Sequence, residues 1–143
     1  MSIKNFSECY INRFSQEERL RKDEVWEILC SSCFQKFVNR KDVVVDLGAG
    51  YCEFINNIKA GKKIAVDVNP DTKKSARKGV LVVNKNVSTI SKKFDGSADV
   101  VFLSNFLEHL NSKDEVLEVL AKVNRLLKPK GKIILLQPNI DLV

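Results

Sequence analysis

The sequence contains few of the residues from which metal and nucleophilic sites are commonly built. It has one histidine, His109, among 143 residues, so it offers no histidine cluster and no Ser/His/Asp set with the logic of a catalytic triad. No run approaches the ~18 apolar residues of a membrane span, and the first residues lack the apolar segment of a signal peptide. These absences favour a cytoplasmic protein with no membrane span.

Cysteine is also too sparse for a zinc site. The four cysteines are Cys9, Cys30, Cys33 and Cys52, and only one Cys-x-x-Cys pair occurs among them. A structural zinc ion would need a second ligand pair at a matching spacing. Cys30 and Cys33 lie in a helical pattern, where residues three apart share a face. We therefore interpret the cysteines as structural thiols and expect no metal.

Acidic residues are outnumbered by basic ones, so the chain is basic. The net charge is +6 and the sequence pI is about 9.2, with basic clusters at residues 19–22, 73–78, 92–93 and 128–132. We interpret these clusters mainly as solvated loops and helix faces. The alternative is attraction of an anionic substrate such as nucleic acid. No aromatic residue stands between the lysines of a cluster, which disfavours nucleic acid.

The length fits a single domain, with a helical segment over residues 1–40 and an α/β core over residues 41–143. Ser15 and Glu18 have the spacing of a capping box and predict the start of a helix. Apolar side chains follow at three- and four-residue spacing, which predicts packing on a sheet. They are Leu20, Val25, Trp26, Leu29, Cys30, Cys33, Phe34 and Phe37.

The stretch 43–53, VVVDLGAGYCE, is the most informative part of the chain. Three consecutive valines predict a strand over 43–47 that is buried on both faces. Gly48 and Gly50 then allow a sharp turn and a close approach of a ligand to the backbone. A helix is predicted over 51–59, with its free N–H groups directed at that turn. This order is typical of a nucleotide cradle.

Strands and helices continue to alternate along the rest of the chain. Further strands are predicted at 63–67, 79–84, 98–103 and 132–136. Helices are predicted from Asn69-Pro70 to residue 78 and after the capping box of Ser112 and Glu115. The pattern indicates a doubly wound parallel α/β sheet, whose ligands bind at the carboxyl ends of the strands. Residues 46–50, 67, 84–87 and 104–109 meet at that edge.

The glycine turn distinguishes between nucleotides. In G-x-G-x-x-G the third glycine would stand where Glu53 is, and no P-loop occurs. Asp67 ends the second strand, 21 residues after Asp46, where a carboxylate can accept from both ribose hydroxyls. Asp46 would repel a pyrophosphate. We therefore expect a nucleoside that carries a cationic or amino-acid tail.

From residue 43 to about residue 139 the chain resembles the class I S-adenosylmethionine-dependent methyltransferases. The similar segments are VVVDLGAGYCEF, IAVDVNP, ADVVFLSNFLEHL and LLKPKGKIILL. The resemblance implies a Rossmann-like fold, methyl transfer and S-adenosyl-L-methionine as the cofactor. By this resemblance the methionine part lies along Asp46–Gly50 and near Asn105 or Phe106, the ribose at Asp67 and the adenine at Asn86 and Val87. The expected cofactor-binding residues are Asp46, Gly48, Ala49, Gly50, Asp67, Val68, Asn86, Val87, Asn105 and Phe106.

Two residues depart from the family pattern. Cys52 stands where many relatives have glycine, and Asn86 stands where an aspartate often contacts the adenine amino group. Asn86 keeps an acceptor, so we expect weakened rather than lost binding. His109 is the candidate catalytic base because histidine titrates near neutral pH. The alternative is that His109 only bonds a neighbouring loop.

The family motifs also constrain the methyl acceptor. Enzymes that resemble amino-adenine and amino-cytosine methylases carry N-P-P-Y after the fourth strand, where this chain has SNFL at 104–107. The Pro-Cys of cytosine-C5 methylases is absent, and Glu108 alone stands where catechol-type enzymes have carboxylates. These differences favour a small-molecule, sugar or lipid-linked acceptor. The alternatives are an RNA methyltransferase and an inactive cofactor-binding module completed by a partner chain.

The family's sheet usually continues with two strands beyond the fifth, whereas only a few residues follow residue 136 here. We therefore expect five strands and an open apolar edge on the fifth. Such an edge would be covered by a partner chain, as in a homodimer, or by the N-terminal arm, unless the sequence is a fragment.

Overall fold

The computed structural model describes residues 16–138 and contains a parallel sheet of five strands. The strands are β1 (Val43–Leu47), β2 (Lys62–Asp67), β3 (Val80–Asn84), β4 (Ala98–Ser104) and β5 (Leu127–Leu136). Their order across the sheet is β3-β2-β1-β4-β5, and every neighbouring pair is parallel. The predicted doubly wound sheet is confirmed. The order reverses between β1 and β4, which is where such sheets bind ligands.

Among residues 16–138, four α-helices flank the sheet, and four 3₁₀ helices lie in the connecting segments. The α-helices are α1 (Gln16–Ser32), α2 (Glu53–Asn57), α3 (Thr72–Ser75) and α4 (Lys113–Leu126). The 3₁₀ helices are Phe34–Phe37, Val87–Thr89, Lys92–Phe94 and Leu107–His109. Among the described residues, no helix is both long and apolar enough to cross a membrane.

Alternating side chains of β1 bury the sheet on both faces. Val44 belongs to a core shared with α1 and α2, whereas Val45 and Leu47 belong to a core shared with α4. In the first core the Phe54 and Phe102 rings stack with centroids 3.6 Å apart. Such burial contributes about 25 cal/mol per Å² of apolar surface and fixes where β1 ends, and with it the glycine turn.

Helix α1 packs less of its apolar surface than its spacing predicts. Trp26, Leu29, Cys30 and Phe34 join the first core, but Leu20 and Val25 are 64% and 53% exposed. Cys33 and Phe37 are also exposed, and both follow the end of α1 at Ser32. Helix α1 lies mainly against α2 rather than across the sheet. Cys30 and Cys33 therefore do not share a helix face, and the predicted cap Ser15 lies outside the described residues.

The two helices that follow β1 and β2 are shorter than predicted. Helix α2 begins only at Glu53 because Cys52 is left-handed (φ 63°), and it ends where Ile58 becomes extended. Helix α3 begins at Thr72 because Asn69 caps the preceding turn, accepting from the Asp71 N–H at 3.0 Å. The predicted cap at Asn69 is thus two residues too early for the helix itself.

The capping box of α4 is confirmed in a modified form. The Ser112 hydroxyl accepts from the Glu115 N–H at 3.2 Å, as predicted. The Glu115 carboxylate accepts from the Asn111 N–H at 2.8 Å, one residue before the cap. Two N–H groups at this helix end are therefore satisfied.

Strand β5 forms one edge of the described sheet, and its outer side is apolar. It begins at Leu127, five residues earlier than predicted, with an irregular register opposite Ala98 and Val100. Ile133, Leu135 and Leu136 are 43%, 46% and 37% exposed. The described residues leave this apolar edge uncovered, as expected.

Candidate functional site

The glycine turn is held against β2 by its own backbone. The N–H groups of Gly48 and Ala49 both donate to the Val66 carbonyl, at 2.8 and 3.2 Å. Gly50 has a φ of +50°, and a Cβ placed there would meet no atom within 4 Å. The open space for a ligand is therefore beside Gly50.

Asp67 projects at the carboxyl end of β2 and faces this turn. One carboxylate oxygen accepts from the Gly50 N–H at 2.8 Å, and the other accepts from the Asn69 N–H at 2.7 Å. Each carboxylate oxygen can accept a second hydrogen bond. Two backbone donors thus orient the carboxylate while leaving it able to accept from two hydroxyl groups.

Asp46 lies beneath the turn and is only 3% exposed. The Ile55 N–H donates to its carboxyl group, so Asp46 joins β1 to α2. Burial raises the pKa of Asp46 well above its usual range, and the nearby Glu53 and Asp67 raise it further. Asp46 therefore lies buried beneath the crevice as a carboxyl group that resists ionisation, not as part of an exposed rim.

Asp46→Asn is expected to stabilise the protein at neutral pH. The unfolded carboxyl ionises near 3.8, whereas the folded one resists ionisation, so the contribution of Asp46 is full at low pH and lost as pH rises through the folded-state pKa. Asparagine does not titrate, so we expect a Tm about 3 °C or more above wild type at pH 7, which is about 1 kcal/mol for this size. The gain should shrink toward about pH 4. Thermal unfolding followed by circular dichroism across this range measures it.

The matched control is Glu118→Gln on the exposed side of α4, which should shift the Tm by about 1 °C or less. A lower Tm for Asp46→Asn than for wild type at pH 7 would show that Asp46 is ionised and stabilised by partners.

Phe106 lies directly on Gly48. A Cβ at Gly48 would be 2.4 Å from the Phe106 Cδ2 atom, and Gly48 has a φ of +73°. Asn105, just before the ring, is left-handed (φ 48°), and its N–H donates to the Leu136 carbonyl at 2.9 Å. Glycine is thus required at position 48 because the Phe106 ring packs there. Of the two glycines, only Gly50 has open space beside it for the predicted approach of a ligand.

The remaining predicted residues differ in their access to the crevice. Val68 is 55% exposed beside Asp67, whereas Val87 is 4% exposed and packs in the second core. The Asn86 side-chain oxygen accepts from the Ser88 N–H and hydroxyl, both at 3.0 Å. Asn86 therefore caps a 3₁₀ helix, and only its remaining acceptor and donor capacity is open to a ligand.

His109 is exposed in the 3₁₀ helix after β4. Its imidazole forms no hydrogen bond or ion pair with a described residue, so no described side chain orients it as a base. Glu108 beside it is also exposed. Within residues 16–138, no group of three or more histidine, cysteine or acidic side chains is arranged to hold a metal.

The backbone conformation at Cys52 explains in part why many relatives have glycine at this position. Its left-handed backbone is a conformation that glycine adopts without strain, while its buried thiol lies 3.7 Å from the Thr72 carbonyl. Burial raises the pKa of Cys52 to about 12, and burial does the same to Cys30. Both are inert core thiols at neutral pH.

Two contacts of the site were missed from the sequence. The Asn84 amide donates to the Asp67 carbonyl at 2.9 Å, and Lys22 of α1 forms a 2.7 Å ion pair with Glu53. The contact of Asn84 could have been predicted, since Asn84 ends β3 at the same edge of the sheet as Asp67. The ion pair of Lys22 could not, because no local sequence pattern places α1 beside α2.

The charges and the open space together suit a nucleoside with a cationic tail. The carboxyl groups of Asp46, Glu53 and Asp67 are close enough to influence one another, and a bound cation would favour the ionised form of the buried Asp46. Asp67 is oriented to accept from hydroxyl groups. The residues present therefore fit an adenosyl group bearing a positive sulfonium.

Comparison with known proteins agrees with this chemistry. The sequence profile of the methyltransferase domain family matches residues 45–135. An uncharacterized protein of Methanocaldococcus jannaschii is 33% identical over 112 residues, 78% of this chain and 48% of that protein. A SAM-dependent methyltransferase from Archaeoglobus fulgidus is 26% identical with a TM-score of 0.68, covering 87% of this chain and 57% of that one. The chain belongs to the methyltransferase domain family, which implies S-adenosylmethionine as the cofactor.

A more distant similarity supports the fold alone. The TehB-like SAM-dependent methyltransferase from Corynebacterium glutamicum is 16% identical with a TM-score of 0.60, covering 78% of this chain and 68% of that one. The chain spans about half the length of the Methanocaldococcus relative and 57% of the Archaeoglobus protein.

Proposed function

We propose that this chain binds S-adenosylmethionine beside Gly50 and transfers its methyl group to an acceptor. The observation that carries the proposal is the Asp67 carboxylate, oriented by Gly50 and Asn69 next to open space. In this proposal Asp67 holds the ribose, Asn86 and Val68 border the adenosine, and Asp46 lies beneath the cationic tail, whose charge would favour the ionised form of this carboxyl group. Phe106 and Asn105 border the methionine end.

Methyl transfer needs little more from the protein than position. The cofactor supplies an electrophilic methyl carbon on a sulfonium, and the acceptor displaces it in line. The chain's residues hold the donor, and the Asp67 carboxylate favours the positively charged donor over the neutral thioether product. A base is needed only where the acceptor loses a proton, and His109 is our candidate.

Isothermal calorimetry with S-adenosylmethionine and S-adenosylhomocysteine tests the binding step. We expect one site per chain for each. Absence of heat and of any rise in Tm with either compound would refute the proposal. Binding followed by product formation with an acceptor separates the enzyme from a cofactor-binding module.

The acceptor that we propose from the family motifs is a small molecule, a sugar or a lipid-linked group. A cofactor-binding module completed by a partner chain is the second candidate, favoured by the exposed apolar edge of β5. Analytical ultracentrifugation distinguishes a homodimer from a monomer, and binding without turnover across acceptors would favour the module.

His109→Gln is expected to lower kcat by about 100-fold or more if His109 is the base. The variant should keep its affinity for S-adenosylhomocysteine, because His109 is exposed and contacts no described part of the crevice. Turnover assays across a range of pH measure the loss of kcat, and Glu108→Gln is the control at the neighbouring residue. An unchanged kcat would exclude the base role.

A further inference from the structure

The basic residues of this chain are concentrated at the β3 edge of the sheet. Residues 72–94 contain seven lysines and arginines and no acidic residue. Two of these cations are neutralised locally: Lys74 pairs with Asp71, and Arg77 pairs with Asp23. The others form no ion pair with a described residue and are exposed, namely Lys73, Lys78, Lys85, Lys92 and Lys93.

A groove of about 330 Å³ lies along this edge, with a mixed apolar and basic lining. We call it the β3 groove; its lining includes Leu81, Val83, Asn84, Lys85, Lys93 and Phe94. Leu81 is 47% exposed, and the Lys93 ammonium lies 5.1 Å from the centre of the Phe94 ring. Phe94 directly follows Lys93 in the sequence, and the fold places both residues beside Leu81 and Lys85.

The β3 groove adjoins the crevice through Asn84. This residue lines the groove, and its amide donates to the Asp67 carbonyl at 2.9 Å. The methionine end of the crevice is at β4, three strands away from β3, or about 14 Å at the usual strand spacing. A small anion held by Lys85 and Lys93 would not reach that point, whereas an extended polyanion would.

We infer that the β3 groove binds a single-stranded nucleic acid. Its phosphates lie on Lys85, Lys93 and the neighbouring lysines, and a base packs against Leu81 and Phe94. An acidic peptide would satisfy the lysines but would leave the apolar wall of the groove without a planar group. The inference rests on the proposed function in one respect, namely that the bound nucleic acid is also the methyl acceptor. That part favours the RNA methyltransferase alternative over a small-molecule acceptor.

The experiment is fluorescence anisotropy of the full chain with a labelled oligouridine of about a dozen nucleotides, within the usual site size for single strands. We expect binding at low salt and a steep loss between about 50 and 200 mM salt. The double variant Lys85→Glu/Lys93→Glu should lower affinity about 10-fold or more. It should also flatten the slope of log affinity against log salt by about 1.4, which corresponds to two phosphate contacts.

Lys41→Glu/Lys59→Glu is the matched control, with the same change in charge at the amino ends of the strands. It should change affinity by about 3-fold or less. Phe94→Leu keeps an apolar side chain and should weaken binding about 5-fold or more by removing the ring. Circular dichroism checks that each variant is folded.

Three results would overturn the inference: no oligouridine binding at low salt, an equal loss in the control pair, or equal competition by polyglutamate. S-adenosylhomocysteine binding, measured by calorimetry on the same proteins, should be unchanged in the groove variants. If wild type bound oligouridine but not S-adenosylhomocysteine, the proposed function would fail while the nucleic-acid surface stood; the reverse result would remove only the surface.

Discussion

Asp67→Ala is expected to lower affinity for S-adenosylmethionine by about 100-fold or more. A hydrogen bond to a charged acceptor contributes about 1.5–3 kcal/mol, and two ribose hydroxyls would donate to this carboxylate. Each 1.4 kcal/mol is a tenfold change in affinity. The substitution also removes the acceptor of the Gly50 and Asn69 N–H groups, which fix the turn beside the ligand. Calorimetric titration with S-adenosylhomocysteine measures the loss without requiring an acceptor.

Asp71→Asn is the matched control, because it removes a nearby negative charge that pairs only with Lys74 at the surface. Its affinity should equal that of wild type. Asp67→Asn is a second variant with the same shape, whose amide can accept from one of the two N–H groups but not both. Wild-type affinity in Asp67→Ala, with the fold intact, would remove the proposed ribose contact and the cofactor assignment with it.

Gly48→Ala is expected to destabilise the fold by about 2–5 kcal/mol. A left-handed alanine costs about 1–2 kcal/mol. A Cβ only 2.4 Å from the Phe106 ring adds the cost of overpacking, about 1–3 kcal/mol. Because domains of this kind are stable by only about 5–15 kcal/mol, the loss is a large share of the total. Urea unfolding measures it.

Gly50→Ala separates the two causes. Its backbone is also left-handed (φ +50°), but its Cβ would meet nothing within 4 Å, so we expect only about 1–2 kcal/mol. Adding Phe106→Ala to Gly48→Ala should remove the steric part, with a coupling energy of about 0.5–3 kcal/mol in the double-mutant cycle. Equal stability of Gly48→Ala and Gly50→Ala would show that the Phe106 ring does not pack on Gly48.

The succession of strands and helices along the chain and the acid at the end of β2 could be predicted because their signals are local. Three valines before a glycine turn define β1, and Asp67 follows an apolar run directly. The cap of α4 was equally local, since Ser112 and Glu115 are one helical turn apart. Helix lengths after β1 and β2 were not predictable, because the left-handed Cys52 and the turn at Asn69 depend on how each segment packs on the sheet.

The sequence alone therefore determined the alternating α/β pattern, the glycine turn and the chemistry of a cationic nucleoside site. The tertiary structure decided which residues meet: Phe106 on Gly48, Asp46 buried beneath the turn, and Lys85 beside Lys93 and Phe94. The contact of Phe106 with Gly48 joins segments far apart in the chain, because β1 and β4 are neighbours in the strand order β3-β2-β1-β4-β5. Hydrophobic periodicity reports which face of an element is buried but not which element covers it, so only packing could bring these groups together.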